Sequence, residues 1–188
     1  MIRIGIVGDI GSGKSYIAKL FGYPVFNADI EVAKIYKTNA ECFKRLKKKL
    51  PKYFSTFPTK KSEIINAIKK NKINLKKITN IIHPQIKKKM NFFLKKNKKN
   101  KIVVLDIPLL LEKRINKKGD ILIFVESNKK EVFKRLKKRD NFDLTLLNNF
   151  KEIQLSLVYK KKKSNFIIKN DFTKKTIKKR KKNIIINI

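Results

Sequence analysis

Eight residues near the start of the chain, Gly8-Asp9-Ile10-Gly11-Ser12-Gly13-Lys14-Ser15, fit the pattern G-x-x-x-x-G-K-[ST] at every fixed position. The flanks agree with it. Ile2 to Val7 reads as a short buried strand, and Tyr16 to Phe21 reads as the start of a helix. A strand, a glycine-rich turn and a helix in that order commit the chain to an α/β fold built on a parallel sheet. They also commit it to a ligand class. Glycines let the loop wrap a phosphate so that backbone N–H groups and a helix N-terminus face anionic oxygens. Lys14 would reach the β- and γ-phosphates of a nucleoside triphosphate, and the Ser15 hydroxyl would ligate magnesium.

Four more apolar runs have the length of buried strands: Pro24–Asn27, Ile102–Asp106, Ile121–Val125 and Phe166–Lys169. Helical patterns fill the gaps. Between the second and third strands the gap far exceeds one crossover. Phe43, Leu46 and Leu50 recur there at helical spacing, as do Leu75, Ile78 and Ile82, then Ile86, Met90, Phe93 and Leu94. This predicts a helical insertion over about 29–100, divided by Pro51 and Pro58 and able to close over a second substrate. Another helical stretch, about 129–163, separates the last two strands, and the basic run at 178–182 predicts a final basic helix.

Several side chains carry possible chemistry. Asp106 ends an apolar strand, where a carboxylate beside a phosphate loop holds magnesium directly or through water. Asp29 follows the second strand, at the strand ends where open parallel sheets collect active-site residues. It suits either a base that takes a proton from an attacking hydroxyl or an N-cap for the helix expected from Ile30. Arg135 and Arg139 share a helix face, as phosphate-neutralising groups or as a surface pair bonded to Asp140 or Glu131. His83 and Pro84 are expected at a helix start, since proline favours the first helical turn. His83 then either touches a substrate phosphate or satisfies a loop.

The formal charge of +36 invites a nucleic-acid reading, yet only six of the fifty basic residues are arginine. Lysine, asparagine and isoleucine are inflated together, which A/T-rich codons explain without a partner. The lysines also run along nearly the whole chain after Leu20, without interleaved aromatics to stack on bases. A solvated surface is therefore expected, and no specific nucleic-acid partner. The lone Cys42 falls on a helical apolar pattern and reads as a small buried thiol. No apolar run approaches the ~20 residues of a membrane span, and Met1 leads straight into a strand, so a cytoplasmic protein is expected.

In this order the pieces resemble the dephospho-coenzyme A kinase family, nearly end to end. The phosphate loop is followed by Asn27-Ala28-Asp29 for the family's D-A-D and by His83-Pro84-Gln85-Ile86 for H-P-x-I. Asp106-Ile-Pro-Leu-Leu-Leu-Glu112 matches D-[IV]-P-L-L-x-E, and Arg135-Leu-Lys-Lys-Arg139-Asp140 matches the lid element R-x-x-x-R-D. Gln154, Lys160 and Phe166–Asn170 keep the family's spacing. Departures are Val7, Asp9, Tyr16, Asn27 and Asn165, none of which removes a proposed catalytic group.

The resemblance implies a P-loop, nucleoside-kinase-like, three-layer α/β/α domain. Its five-stranded parallel sheet would have the order 2-3-1-4-5, with core segments 1–28, 101–128 and 164–188. Residues 29–100 would form the substrate region and 129–163 the lid. The implied reaction moves a phosphoryl group from ATP, with Mg2+, to the ribose 3′-hydroxyl of dephospho-CoA. Gly8, Gly11, Ser12, Gly13, Lys14, Ser15, Tyr16 and Asn170 would hold ATP, and Ser15 with Asp106 the metal. Asp29, His83, Pro84 and Leu110 would meet dephospho-CoA. Lys14, Asp29, Arg135 and Arg139 would carry the chemistry, in a monomer. Other P-loop kinases share the loop and the arginines, but they are not expected to combine H-P-x-I with D-I-P-L-L-x-E.

Overall fold

The computed structural model describes residues 1–139 and 142–187, with the backbone alone at 174–176, 178 and 179. Asp140, expected in the lid element, lies outside the described residues. The elements run β1 (Ile2–Gly8), α1 (Lys14–Leu20), β2 (Val25–Asn27), α2 (Ala28–Thr38), α3 (Ala40–Lys49), α4 (Lys61–Lys70), α5 (Lys72–Lys96) and β3 (Ile102–Asp106). They continue with β4 (Ile121–Ser127), α6 (Lys129–Lys137), α7 (Leu144–Glu152), α8 (Leu157–Lys162), β5 (Phe166–Asn170) and α9 (Lys174–Ile186). All five expected strands are present. They form one parallel sheet of order β2-β3-β1-β4-β5.

The chain groups into two compact units, one of residues 1–27, 96–142 and 153–188, the other of residues 28–95 and 143–152. The first holds the sheet. Alternation along each strand decides which side chain faces which layer. Ile4, Ile6, Ile102, Val104, Ile123, Val125 and Ile168 turn to one face, where Ile17, Ala18 and Phe21 of α1 and Ile177 and Ile184 of α9 cover them. On the other face Leu110, from the turn after β3, fits over Gly5. A Cβ at Gly5 would lie 2.5 Å from Leu110 Cδ2, so only glycine admits the contact. Both faces being covered explains why the inner strands β1, β3 and β4 read as near-continuous apolar runs.

The second unit is helical, built on Ile35, Cys42, Leu46, Phe54, Ile64, Ile68, Leu75, Ile78, Ile82, Ile86 and Leu147. Asn74 Nδ2 donates to the Ala67 carbonyl at 2.9 Å, and Lys69 pairs with Asp143 at 2.7 Å. Burial pushes the Cys42 thiol up to about 11, so it is a packed and unreactive group, as its sequence context implies.

Two expectations fail here. His83 and Pro84 do not start a helix; they lie in the middle of α5, which runs unbroken from Lys72 to Lys96. Pro84 costs the helix about 3 kcal/mol by removing an N–H and crowding the preceding turn. Burial of Leu75, Ile78, Ile82, Ile86 and Met90 on one stripe returns roughly 1.5–3 kcal/mol for each side chain, so packing prevails over the local rule. Asp29 does not stand at the N-cap position of α2 either. The helix begins at Ala28, directly from β2, and Asp29 sits in its first turn with Glu31. There it complements the helix dipole, worth about 0.3–1 kcal/mol.

Candidate active site

Within the sheet-bearing unit, the carboxyl ends of the strands converge on the phosphate loop. Parallel register pairs Asn27 with Asp106 across β2 and β3, and Ser127 with Asn170 across β4 and β5. The central strand β1 ends at Gly8, between these two pairs. Each pair has its own task.

Ser127 and Asn170 hold the loop. Ser127 Oγ donates to the Ser12 carbonyl at 3.0 Å, and Asn170 Nδ2 donates to the same oxygen at 2.7 Å. Asn170 Oδ1 in turn accepts from the Phe172 N–H at 2.9 Å. Asn170, expected at the nucleotide, therefore acts on the loop from its buried side. Gly13 turns beneath it at φ +90°, and a Cβ there would lie 2.4 Å from Asn170 Nδ2. Gly11, at φ +80°, packs on Leu136 and Val132 of α6, with contacts of 3.0 and 3.1 Å to a Cβ built there. Ser127 is a residue that the sequence reading missed. Its one signal was its place at the carboxyl end of the fourth strand.

Asn27 and Asp106 form the second pair. Asp106 is buried, and its Oδ2 accepts a hydrogen bond from Asn27 Nδ2. Asn27 is one of the family departures. Its amide can donate to the carboxylate, which a second carboxylate at that place could do only by holding a proton.

Lys14 Nζ donates to the Gly8 and Asp9 carbonyls at 3.3 and 2.6 Å, so its ammonium is drawn over the loop. Asp9 Oδ1 accepts from the Ile10 N–H at 2.7 Å, folding that carboxylate onto its own loop. Ser15 and Tyr16 are exposed at the start of α1. Ser12 Oγ is buried and has no partner among the described residues, an orphaned hydroxyl inside the cradle. That orphan, together with a loop of glycines that side chains would fill, fits a phosphate ligand. Ser15 and Asp106 supply hard oxygen donors, the set that suits Mg2+.

Arg135 is exposed on α6, whose inner face meets Gly11 of the loop, but Arg139 is exposed just beyond the helix, which ends at Lys137, so the two do not share one helix face as expected. With Glu131, Lys134 and Lys138 they line an open concavity of about 480 Å³. Among the described residues no ion pair joins either arginine to Glu131. The Arg135 guanidinium instead stacks on Phe172, 4.1 Å from the ring centre. Phe172 adopts φ +63°, a conformation that bulky residues avoid. It too escaped the sequence reading, because nothing local links residues 135 and 172.

Leu110 was expected at the substrate, but it is buried over Gly5 and belongs to the core. In the helical unit, Asp29 is exposed in the first turn of α2, and His83 is half-buried with Pro84 exposed on α5.

A family profile described as dephospho-CoA kinase matches residues 2–176. A dephospho-CoA kinase from Wolbachia pipientis wMel is 31% identical over 187 residues, covering 97% of this chain and 95% of its own. A solved Thermus thermophilus structure superposes with a TM-score of 0.77 at 24% identity, covering 99% of this chain and 96% of its own. A Campylobacter jejuni dephospho-CoA kinase superposes with a TM-score of 0.64 at 22% identity, covering 98% and 96%. At those identities the two structures support the fold.

Proposed function

The chain belongs to the dephospho-CoA kinase family, and from that premise we propose how its residues serve the transfer of a phosphoryl group from ATP to the ribose 3′-hydroxyl of dephospho-CoA, with ADP and coenzyme A as products. The observation that carries this reading is the intact phosphate loop at the end of β1, inside a family match that spans nearly the whole chain.

The loop N–H groups and Lys14 bind the triphosphate, Lys14 exchanging the Gly8 and Asp9 carbonyls for phosphate oxygens. Ser15 and Asp106 hold Mg2+, which when bound neutralises charge on the β- and γ-phosphates. Asn27 keeps the Asp106 carboxylate aimed by occupying one of its oxygens. Asp29, in the first turn of α2, accepts the proton of the 3′-hydroxyl as the oxygen attacks. Arg135 leaves Phe172 and joins Arg139 over the phosphates, with residues 129–163 acting as the lid. The helical region of residues 29–100 receives dephospho-CoA, with His83 and Pro84 among its contacts.

No helix among the described residues is long and apolar enough to cross a membrane. The reading places the enzyme in the cytoplasm as a monomer with no specific nucleic-acid partner. A coupled ADP-release assay comparing dephospho-CoA with AMP, pantetheine phosphate and adenosine tests it. Turnover with dephospho-CoA alone supports the assignment, and preference for AMP or adenosine would move the chain to another P-loop kinase activity.

A further inference from the structure

Lysine covers this protein so freely that a buried one stands apart. Among the described residues Lys160 is the only buried lysine, 1% exposed on α8. Its ammonium lies 2.7 Å from Glu112 Oε1 and donates to Gln154 Oε1 at 2.8 Å. The same Glu112 oxygen accepts the Leu155 N–H at 3.1 Å. Ser164 Oγ closes the helix end by donating to the Lys160 carbonyl at 2.8 Å.

Stability alone does not call for this arrangement. Two buried charges lose their hydration, and well-packed apolar residues of similar volume often serve as well or better. What the ions add is direction, because a charged hydrogen-bonded cluster has one geometry where an apolar contact tolerates several.

The cluster ties three parts of the chain. Glu112 lies six residues beyond Asp106, on a segment already anchored where Leu110 sits over Gly5. Gln154 and Leu155 are among the first residues at which the chain re-enters the sheet-bearing unit after 143–152. Lys160 itself stands on α8, shortly before β5. At the far end of the same excursion, Val132 and Leu136 of α6 are packed on Gly11. The segment that carries Arg135 and Arg139 is thus fixed at its start by the phosphate loop, and its return is fixed by the cluster on the exit of β3.

We propose that Lys160 is a positioning residue for phosphoryl transfer. Through Glu112 and Gln154 it holds the return of the lid segment in register with the strand that ends in Asp106. It touches neither substrate. The proposal rests on the lid reading of residues 129–163, and its test compares variants with an active parent enzyme, so an inactive parent would fail that reading first.

Gln154→Leu is the leading variant, since it removes one acceptor and leaves the ion pair intact. We expect kcat to fall about tenfold, as misplacing reacting groups by a fraction of an ångström does. KM for both substrates and the melting temperature should stay near the parent's. Hydrogen exchange at the Leu155 amide, measured without nucleotide, should quicken. Lys160→Met strands the Glu112 charge and should lower the melting temperature, whereas Glu112→Leu/Lys160→Met should regain it and keep the low kcat. Parental kcat in either Gln154→Leu or the double variant would reduce the cluster to a structural contact. A raised KM with unchanged kcat would equally overturn the proposal, since it would indicate a binding role.

Discussion

Gly13→Ala probes how tightly the phosphate loop is built. The new Cβ would stand 2.4 Å from Asn170 Nδ2, which itself donates to the Ser12 carbonyl at 2.7 Å. Two costs separate cleanly. Alanine at φ +90° carries the left-handed penalty of about 1–2 kcal/mol. Displacing Asn170 loses a buried hydrogen bond and leaves its donor to be satisfied elsewhere, about 1–3 kcal/mol more. The destabilisation should therefore be about 2–5 kcal/mol, or a fall in melting temperature of roughly 4–20 °C for a chain of this size. If 2–3 kcal/mol of it opposes the phosphate-binding shape of the loop, kcat/KM for ATP drops by about 30- to 150-fold. Gly119→Ala is the control, because Gly119 has nearly the same φ, +91°, with nothing within 4 Å of its Cβ position. It should show only the conformational penalty and parental activity. Differential scanning calorimetry and steady-state kinetics on both variants decide the matter. Equal melting shifts with unchanged kcat/KM for Gly13→Ala would refute the close-approach argument.

Asp29→Asn should reduce turnover by roughly 10²–10⁴-fold with little change in ATP affinity, the range for losing a general base; near-parental kcat in rapid-quench assays would remove Asp29 from the chemistry. Arg139→Lys should lower kcat well beyond what a surface swap does, since lysine keeps the charge and loses the planar fork; parental kinetics would return Arg139 to the solvated surface. Glu63 lies below the usual carboxylate range: partial burial opposes this, but hydrogen bonds from Ser55 and the Lys60 N–H outweigh it. Its contribution to stability is complete above the unfolded value of about 4.3 and lost as pH falls through the lower folded value. Melting curves of Glu63→Gln should therefore converge on the parent's at acid pH, and a constant gap down to pH 2 would contradict the linkage. Phosphoryl transfer should survive excess duplex DNA at physiological salt, where scattered lysines are screened over about 8 Å; submicromolar, sequence-selective DNA binding there would revive a nucleic-acid role.

The sheet was legible because its information is local. The three inner strands β1, β3 and β4 are apolar runs rich in β-branched residues, and a strand buried on both faces needs no more specification than that. The phosphate loop was legible for a similar reason, since its glycines answer to backbone geometry within eight residues. Legibility failed where packing overruled a local rule, as at Pro84, or where the partner is distant. Phe172 under Arg135 and Ser127 on the Ser12 carbonyl depend on strand ends brought together by the sheet, and no spacing announces them. Lys160 was hidden differently. In a chain with fifty basic residues its side chain looks like surface, and only the fold separates it from the others.

The arginines extend that contrast. Where lysine is so abundant, a guanidinium needs a geometric reason, and two of the six supply one. Arg3 Nη2 is buried between Asp120, at 2.9 Å, and the Ile115 carbonyl, at 3.4 Å, using directed donors on a rigid plane. Arg135 uses the face of that plane against Phe172. An ammonium can satisfy charge in both places but has neither the plane nor the fork. Arg139 is exposed two residues beyond the end of that helix, and among the described residues no carboxylate pairs with it and no aromatic ring lies under it. Its proposed place over the phosphates would supply such a reason, since two oxygens of a phosphate match the guanidinium fork.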